Sequence, residues 1–302
     1  MTGFPVYPVI DRQVVNRYRR NYGLGDEIGV DHIKSHWELE IALTDRLLKS
    51  AKSERPKVFR ECYTELYTKL PWLNKTESFP QNYSHWARLI KKRAKIFEIG
   101  SGKAELLKYP VSLGHDCVGT ELTDARGAKH AVHDAGLKWH QTDGVNLTRF
   151  EPESSYDVVI SSQVVEHLHP DDILEHFCNA RKILKVGGRY LFDTPHIGAG
   201  PADLSTIFGL DRPVCMQLKE YSFLDLRDLL KQAGFSSTSA ILYRRRPVQV
   251  GPYSSSLYLQ YCCFWDWLIN RLGIPPRVER KLGDTVLRLF IVPTNIWMCA
   301  IK

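Results

Sequence analysis

Acidic residues and glycines recur in the middle of the chain, each group directly after a short apolar run. These residues are Glu98, Gly100, Ser101, Gly102, Glu121, Asp143 and Gly144. Closely spaced glycines let a backbone turn tightly and approach a ligand, and a helix that follows offers free N–H groups. Glu121 follows Gly100 by 21 residues, where a carboxylate can accept hydrogen bonds from both ribose hydroxyls. Asp143 comes 22 residues later and can accept from an adenine amino group, so the set predicts an adenosine site.

The residues around the glycines indicate which adenosine cofactor such a site takes. A dinucleotide site uses Gly-x-Gly-x-x-Gly, with the third glycine beside the pyrophosphate. Glu105 stands at that third position, and its carboxylate would repel a phosphate. Glu98, just before the first glycine, is also acidic. Two acids at this loop favour a ligand with a cationic amino-acid end and a sulfonium, which is S-adenosylmethionine (SAM), over a pyridine nucleotide.

Apolar runs alternate with helical stretches through this part of the chain and would place the acids and glycines at one edge of a sheet. The runs are 95–99, 116–121, 137–141, 157–161 and 188–194. Strands that alternate with helices at this spacing predict a doubly wound parallel α/β sheet, which binds ligands at the carboxyl ends of its strands. Two further strands are expected at 239–243 and 295–301.

Helical patterns flank this predicted sheet. Residues 1–93 carry apolar stripes at helical spacing without a strand signal, so we expect a helical N-terminal lid that contributes to the substrate site. Residues 94–302 would form the cofactor-binding domain, with a helical insertion at 253–290 before the last strand. The aromatic residues of this insertion lie at helical spacing, which favours core packing or a homodimer contact over contact with a membrane.

Five segments resemble, in order and spacing, the motifs of class I SAM-dependent methyltransferases. They are Glu98–Gly102, Glu121, Asp143, Tyr156–Ile160 and Leu184–Leu191. The likeness covers residues 95–245 and the terminal strand, and it is strongest to the broad group that includes ubiquinone-pathway and natural-product O-methyltransferases. The resemblance implies a Rossmann-like sheet of seven strands and SAM as the cofactor.

The resemblance also implies a role for each strand end. In that family the first loop holds the methionine part, the acid after the second strand binds the ribose, and the next residue often packs on the adenine. By position, the cofactor-binding residues here would be Glu98, Gly100, Ser101, Gly102, Glu121, Leu122, Asp143, Gly144, Ser162 and Gln163, with the last two beside the methyl group. The sequence departs from the family's pattern at Lys103 and Ala104, where many members have a further small residue or glycine.

The strand ends also restrict the methyl acceptor. The fourth strand lacks the Asn/Asp-Pro-Pro-Tyr/Phe of exocyclic base methylation, the Pro-Cys of C5-cytosine chemistry and the carboxylate of metal-dependent catechol-type enzymes, so no metal is expected. His167 and His196 follow the fourth and fifth strands, and an imidazole can act as general base toward an alcohol or phenol. The alternative is that each histidine only stabilises its loop.

These features favour an enzyme that methylates a hydroxyl of a small molecule, such as a natural product or a sugar-bearing metabolite. An RNA or protein methyltransferase and a SAM-binding module without turnover remain as alternatives. The formal net charge is +7 and the pI is about 9.0. The basic residues are dispersed along the chain, which favours a solvated surface over a nucleic-acid groove without excluding RNA.

Composition and cysteine usage limit the class of protein and its cellular compartment. The chain has 302 residues, of which 43% are hydrophobic and 25% charged, as is ordinary for a soluble globular protein. Seven scattered cysteines without a C-x-x-C motif predict reduced thiols in a cytoplasmic protein. No signal-peptide pattern is visible, and no apolar stretch reaches the ~18 residues that a membrane-spanning helix needs.

Overall fold

The chain folds around one mixed sheet in a computed structural model, which describes residues 9–75, 84–90, 93–126, 137–244, 250–274, 278 and 295–302. The strands are β1 (Lys95–Ile99), β2 (Asp116–Glu121), β3 (Leu137–Gln141), β4 (Tyr156–Ser162), β5 (Leu184–Pro195), β6 (Ser237–Arg244), β7 (Val250–Ser255) and β8 (Asn295–Ile301). Their order in the sheet is β3-β2-β1-β4-β5-β8-β6-β7. The first five strands pair in parallel, and β8 is antiparallel to β5 and β6. The doubly wound, Rossmann-like α/β fold is confirmed.

The sheet has eight strands over the described residues, one more than the seven expected. The additional strand is β7, which pairs antiparallel with β6 at the edge of the sheet. Gly251 and Pro252 disfavour a helix in this segment, because glycine costs backbone entropy and proline lacks an N–H group. The helix that follows begins only after Ser255, whose hydroxyl accepts a hydrogen bond from the N–H of Tyr258 (3.1 Å). The second helix expected within 253–290 lies outside the described residues.

Helices precede the sheet and connect its strands. The helices described are α1 (Arg12–Tyr22), α2 (Val30–Leu48), α3 (Arg55–Lys69), α4 (Pro71–Lys75), α5 (Ser84–Ala87), α6 (Glu105–Ser112), α7 (Ile173–Ile183), α8 (Phe223–Gln232) and α9 (Ser256–Leu272). Helix α8 begins with a reciprocal cap, since the N–H of Asp225 donates to the Ser222 hydroxyl (3.1 Å) and the Asp225 carboxylate accepts from the N–H of Ser222 (3.0 Å). After α5 the chain tightens to i→i+3 hydrogen bonds at Leu89 and Ile90.

The first three helices pack over the carboxyl ends of the strands. Leu47 of α2 and Leu66 of α3 form one apolar cluster with Met216, which lies in the segment between β5 and α8. Trp37 of α2 belongs to a second cluster with Ile207 of the same segment. These contacts hold the N-terminal helices above the edge of the sheet where the predicted cofactor residues lie.

Helix α9 buries one face in the core and exposes aromatic side chains on another. Leu259, Cys262 and Cys263 are buried in the main core cluster, and of the aromatic residues Tyr258 packs against that cluster. Phe264 and Trp267 are about half exposed. Within the part of the chain that the structure describes, neither α9 nor any other helix has the length and apolarity to cross a membrane.

A buried ion pair joins the start of α3 to the segment before α7. Arg55 donates through Nη1 to Oδ1 of Asp172 (2.6 Å) and through Nη2 to Oδ2 of Asp171 (2.9 Å). Only 10% of the Arg55 side chain and 8% of the Asp172 side chain are exposed. The guanidinium therefore fixes the second of the two long N-terminal helices to the sheet domain.

Replacing Arg55 by alanine should destabilise the protein strongly, because the Asp172 carboxylate would stay buried without its partner. We expect the free energy of unfolding to fall by about 3 kcal/mol. Urea denaturation of Arg55→Ala measures this, with Lys49→Ala as the control. Lys49 forms an exposed pair with Asp45, whose loss should cost less than about 0.5 kcal/mol. Similar losses in the two variants would contradict the role of the Arg55 pair.

Candidate functional site

A cavity of about 470 Å³ lies where the carboxyl ends of the central strands meet the N-terminal helices. All ten predicted cofactor residues line it: Glu98, Gly100, Ser101, Gly102, Glu121, Leu122, Asp143, Gly144, Ser162 and Gln163. His167 lines the same cavity, whereas His196 does not. The cavity lies beside the switch point between β1 and β4, which is where doubly wound sheets bind ligands.

The loop after β1 is shaped by two glycines and braced by the serine between them. Gly100 and Gly102 have φ angles of +66° and +54°, a region that favours glycine. A Cβ atom on Gly100 would lie 2.6 Å from a methyl carbon of Val164, so this position has no room for a side chain. The Ser101 hydroxyl donates to the Glu98 carbonyl (3.2 Å) and accepts from the N–H of Thr120 (3.0 Å), which joins the loop to β2.

Glu98 places an unpartnered carboxyl oxygen at the cavity. The residue is 2% exposed, and its Oε2 atom has no hydrogen-bond partner among the described residues. Burial raises the pKa of Glu98 to about 8, and the nearby Glu121 carboxylate adds to the rise. A cationic ligand group beside this oxygen would supply the missing partner and favour the ionised form.

Glu121 and Asp143 stand at the ends of the next two strands but differ in how their carboxylates are used. One oxygen of Glu121 accepts from the N–H of Leu122 (2.7 Å), and burial raises the pKa of Glu121. The Asp143 carboxylate accepts from the N–H groups of Val145 (2.9 Å) and Asn146 (2.7 Å) and from the Asn146 side chain (2.6 Å). Asp143 thus stabilises its own turn as well as lining the cavity.

His176 forms a hydrogen bond to the turn that contains Asp143 and Gly144, a role that the sequence pattern did not predict. Its Nδ1 atom lies 2.6 Å from the carbonyl oxygen of Gly144, so Nδ1 carries the proton and donates. Its Nε2 atom accepts from the Tyr190 hydroxyl (2.7 Å). The ring is fully buried, and burial lowers the pKa of His176 to about 4. His176 lies on α7, within a helix that packs against the core and not at the end of a strand, so the strand-end pattern did not indicate it.

The two candidate bases lie in different environments. Nδ1 of His167 lies 2.9 Å from the carbonyl oxygen of Met216, so Nδ1 donates and Nε2 keeps its lone pair. The His167 side chain is 31% exposed, and burial lowers the pKa of His167, which keeps the ring neutral. His196 is instead 3% exposed, and its Nε2 atom lies 3.0 Å from Oδ1 of Asp266 on α9. Its Nδ1 atom accepts from the N–H of Gly198 (3.0 Å), so both ring nitrogens are engaged away from the cavity.

The N-terminal helices contribute lining residues that sequence reasoning did not assign to the site. These are Tyr22, His36, Glu40, Phe59, Tyr63, Leu66 and Tyr67. Of these, Phe59, Leu66 and Tyr67 of α3 also belong to the apolar cluster that contains Met216. His36 and Glu40 lie four residues apart beside the apolar stripe of α2. A polar pair on such a stripe is the signal that could have pointed to them.

Comparison with known proteins identifies the domain that carries the cavity. Residues 97–192 match the family model described as a methyltransferase domain. The fold is similar to that of Burkholderia thailandensis 1,6-didemethyltoxoflavin-N1-methyltransferase, solved with 1,6-didemethyltoxoflavin and S-adenosylhomocysteine (16% identity, 84% of this chain and 91% of that chain, TM-score 0.52). It is also similar to that of Haemonchus contortus phosphoethanolamine N-methyltransferase 2 (15% identity, 84% of this chain and 61% of that chain, TM-score 0.50). No curated protein sequence matches the chain.

The matched segment runs from β1 into β5 and contains the strand ends that line the cavity. Residues 97–192 form a methyltransferase domain of Rossmann-like fold, and SAM is the methyl donor that such a domain uses. The residues present fit this cofactor, because Glu98 offers an unpartnered buried carboxyl oxygen and Gly100 leaves no side chain in the loop. The comparisons concern the domain and the fold, and they leave the acceptor to be argued from the site.

Acidification should destabilise the protein through His176. An unfolded histidine titrates near pH 6.5, whereas the native pKa of His176 is about 4, so between these values only the unfolded chain binds the proton. Stability from this group is therefore lost as the pH falls, by about 2 kcal/mol between pH 7 and 5. Urea denaturation at both pH values should show a correspondingly smaller loss for His176→Gln. Equal losses in the wild-type protein and in His176→Gln would contradict the assignment.

Proposed function

We propose that the protein transfers the methyl group of SAM to a hydroxyl of a small molecule bound between the N-terminal helices and the sheet edge, with His167 as general base. The observation that carries the proposal is that one cavity joins the predicted cofactor residues to the His167 ring and to residues of α1–α3. SAM supplies an electrophilic methyl group on a sulfonium, so the protein's task is to align an acceptor and to exclude water.

The cofactor half of the proposal assigns one part of SAM to each strand end. The loop after β1 would hold the methionine part, with the Glu98 carboxylate near its ammonium group. Glu121 would accept hydrogen bonds from the ribose hydroxyls, and Leu122 would pack on the adenine. Ser162 and Gln163 would lie at the methyl-bearing end. Support comes from the position of all these residues around one cavity and from the free carboxyl oxygen of Glu98.

His167 is the better supported of the two candidate bases. The Met216 carbonyl fixes the tautomer of the ring, because it can only accept from Nδ1. A neutral ring with a free Nε2 atom can take a proton from a hydroxyl as the oxygen attacks. We assign His196 instead to the stability of the loop after β5, since its ring is engaged with Asp266 and Gly198.

The position of the N-terminal helices supports a small acceptor over RNA or a protein. Helices α1–α3 would act as the lid, because they pack over the sheet edge that a macromolecule would have to approach. Both structural relatives named above are N-methyltransferases, which makes an amine nitrogen the second candidate nucleophile. All seven cysteines are free thiols, which supports a reducing compartment such as the cytoplasm.

Glu121→Ala should weaken the binding of SAM with the fold intact. The loss of a carboxylate that accepts from two hydroxyls should lower the affinity by about tenfold to 100-fold. Isothermal titration calorimetry with SAM measures this, and the melting temperature without ligand reports the fold. Asp124→Ala is the matched control, because Asp124 is an exposed acid in the loop after β2. Unchanged SAM affinity in Glu121→Ala would overturn the cofactor assignment.

His167→Asn should slow methyl transfer while SAM still binds. Loss of a general base typically lowers kcat by a factor of about 100 to 10,000. The measurement is the rate of S-adenosylhomocysteine release with the best acceptor from a panel of phenols and alcohols, as a function of pH. His196→Asn should lower stability more than kcat. If His167→Asn turns over at the wild-type rate, the ring is not the base.

A further inference from the structure

We infer that the acceptor carries a protonated amine, which Glu40 binds at the end of the cavity formed by the N-terminal helices, while a separate hydroxyl of the same molecule faces His167. The inference rests on the proposed function and names the substrate class of that site as small alcohols or phenols with a basic nitrogen. It is carried by the buried carboxylate of Glu40 and by the aromatic groups that line the cavity with it.

Glu40 is a buried carboxylate that lies against the His36 ring and the Cys215 thiol. The residue is 8% exposed and lines the cavity from α2. Its Oε1 atom lies 2.9 Å from Nε2 of the His36 ring, and no Lys or Arg of the described residues forms an ion pair with it. A carboxylate taken out of water is costly unless it is paired. An open cavity beside it lets a ligand supply the missing cation.

The His36 ring lies between Glu40 and a hydrogen-bonded pair of aromatic side chains. Nε1 of Trp72 donates to the Tyr18 hydroxyl (3.0 Å), and the oxygen of this hydroxyl lies 2.8 Å from Nδ1 of His36. The other ring nitrogen, Nε2, faces Glu40. Lys103 and Arg126 line the cavity from the loops after β1 and β2. Arg126 is engaged there, because it donates to the hydroxyl of Tyr67 and covers its ring.

Aromatic rings complete the subsite around this carboxylate. Tyr22 of α1 and Tyr63 of α3 line the cavity together with Glu40. Burial, with the charge of Glu40, raises the pKa of both hydroxyls well above the usual value, so these phenols stay neutral. The Tyr63 hydroxyl is buried and has no hydrogen-bond partner among the described residues. The faces of neutral aromatic rings attract a cation, and the free hydroxyl offers it a further polar contact.

The nitrogen held by Glu40 is an anchor and not the nucleophile. A carboxylate beside an ammonium group favours its protonated form, which has no lone pair for attack. The nucleophile is therefore a second group, and the free Nε2 atom of His167 suits a hydroxyl. The hydroxyl oxygen forms the new bond to the methyl carbon as the carbon–sulfur bond breaks and its electron pair stays on sulfur. The hydroxyl proton passes to His167, and the ammonium group is unchanged.

Calorimetry on the protein saturated with S-adenosylhomocysteine tests the inference with three matched pairs of compounds. The pairs are tyramine and 4-ethylphenol, 2-amino-1-phenylethanol and 1-phenylethanol, and 3-amino-1-propanol and 1-propanol. In at least one pair the amine should bind at least about tenfold more tightly, as expected of a charge-assisted hydrogen bond. The absence of this preference in all three pairs would overturn the inference.

Two variants test whether Glu40 causes the preference. Glu40→Gln removes the charge and keeps the shape of the side chain, so the preference for the amine should disappear. Asp45→Asn removes a largely exposed carboxylate from the same helix, and the preference should remain. A preference for the amine that survives in Glu40→Gln would overturn the inference.

Two further readouts separate this inference from the proposed function. If the wild-type protein does not bind S-adenosylhomocysteine, the proposed function fails. If it binds and no pair shows a preference for the amine, only the amine inference fails. Mass spectrometry of the product from an accepted amine should place the methyl group on oxygen, whereas methylation of the nitrogen would show that Glu40 does not hold it as an anchor.

Discussion

The reversal of strand order between β1 and β4 is the constraint on which the rest of the structure depends. The connections from these two strands leave toward opposite sides of the sheet, so a crevice opens beyond their carboxyl ends. The parallel register aligns Ile99 with Ser161, which brings the glycine loop against the end of β4. Gly100 fits there only because it lacks a Cβ atom, since Val164 occupies the space. The cofactor side of the cavity follows from this close approach.

A chain of backbone contacts extends the constraint to the part of the cavity that His167 lines. The carbonyl oxygen of Glu166 accepts from the N–H groups of Leu218 (2.8 Å) and Lys219 (3.2 Å), which fixes the segment between β5 and α8 to the end of β4. That segment carries Met216, whose carbonyl fixes the tautomer of His167. The chemical property of one ring therefore depends on the placement of a segment about 50 residues away in the sequence.

The charge inside the cavity is opposite in sign to the charge of the whole chain. The net charge is +7, yet Glu40, Glu98 and Glu121 face the cavity. Burial raises the pKa of Glu98 to about 8 and raises that of Glu121, because each carboxylate has lost water. Such a site favours ligands that bring positive charge, as a sulfonium cofactor does. The excess of basic residues thus says little about what the cavity binds.

Sequence pattern by itself determined the sheet and the strand-end residues that line the cavity. Both depend on local signals, namely apolar runs, turn glycines and acids at fixed spacing, and parallel strands bring such ends together wherever the helices lie. The extra strand β7 was missed because an edge strand forms by pairing with β6 and not by its own pattern. His167 and His196 each follow a strand directly, so the sequence could not distinguish between them.

Only the tertiary structure decided which histidine faces the cavity, and it did so through partners distant in the chain. Asp266 lies 70 residues from His196, and the Met216 carbonyl lies 49 residues from His167. It also decided the acceptor side, since Glu40 and Tyr63 reach the cavity through the packing of α2 and α3 on the sheet edge. The physical reason is that hydrogen-bond partners and burial are set by long-range contacts, which a local pattern of residues does not contain.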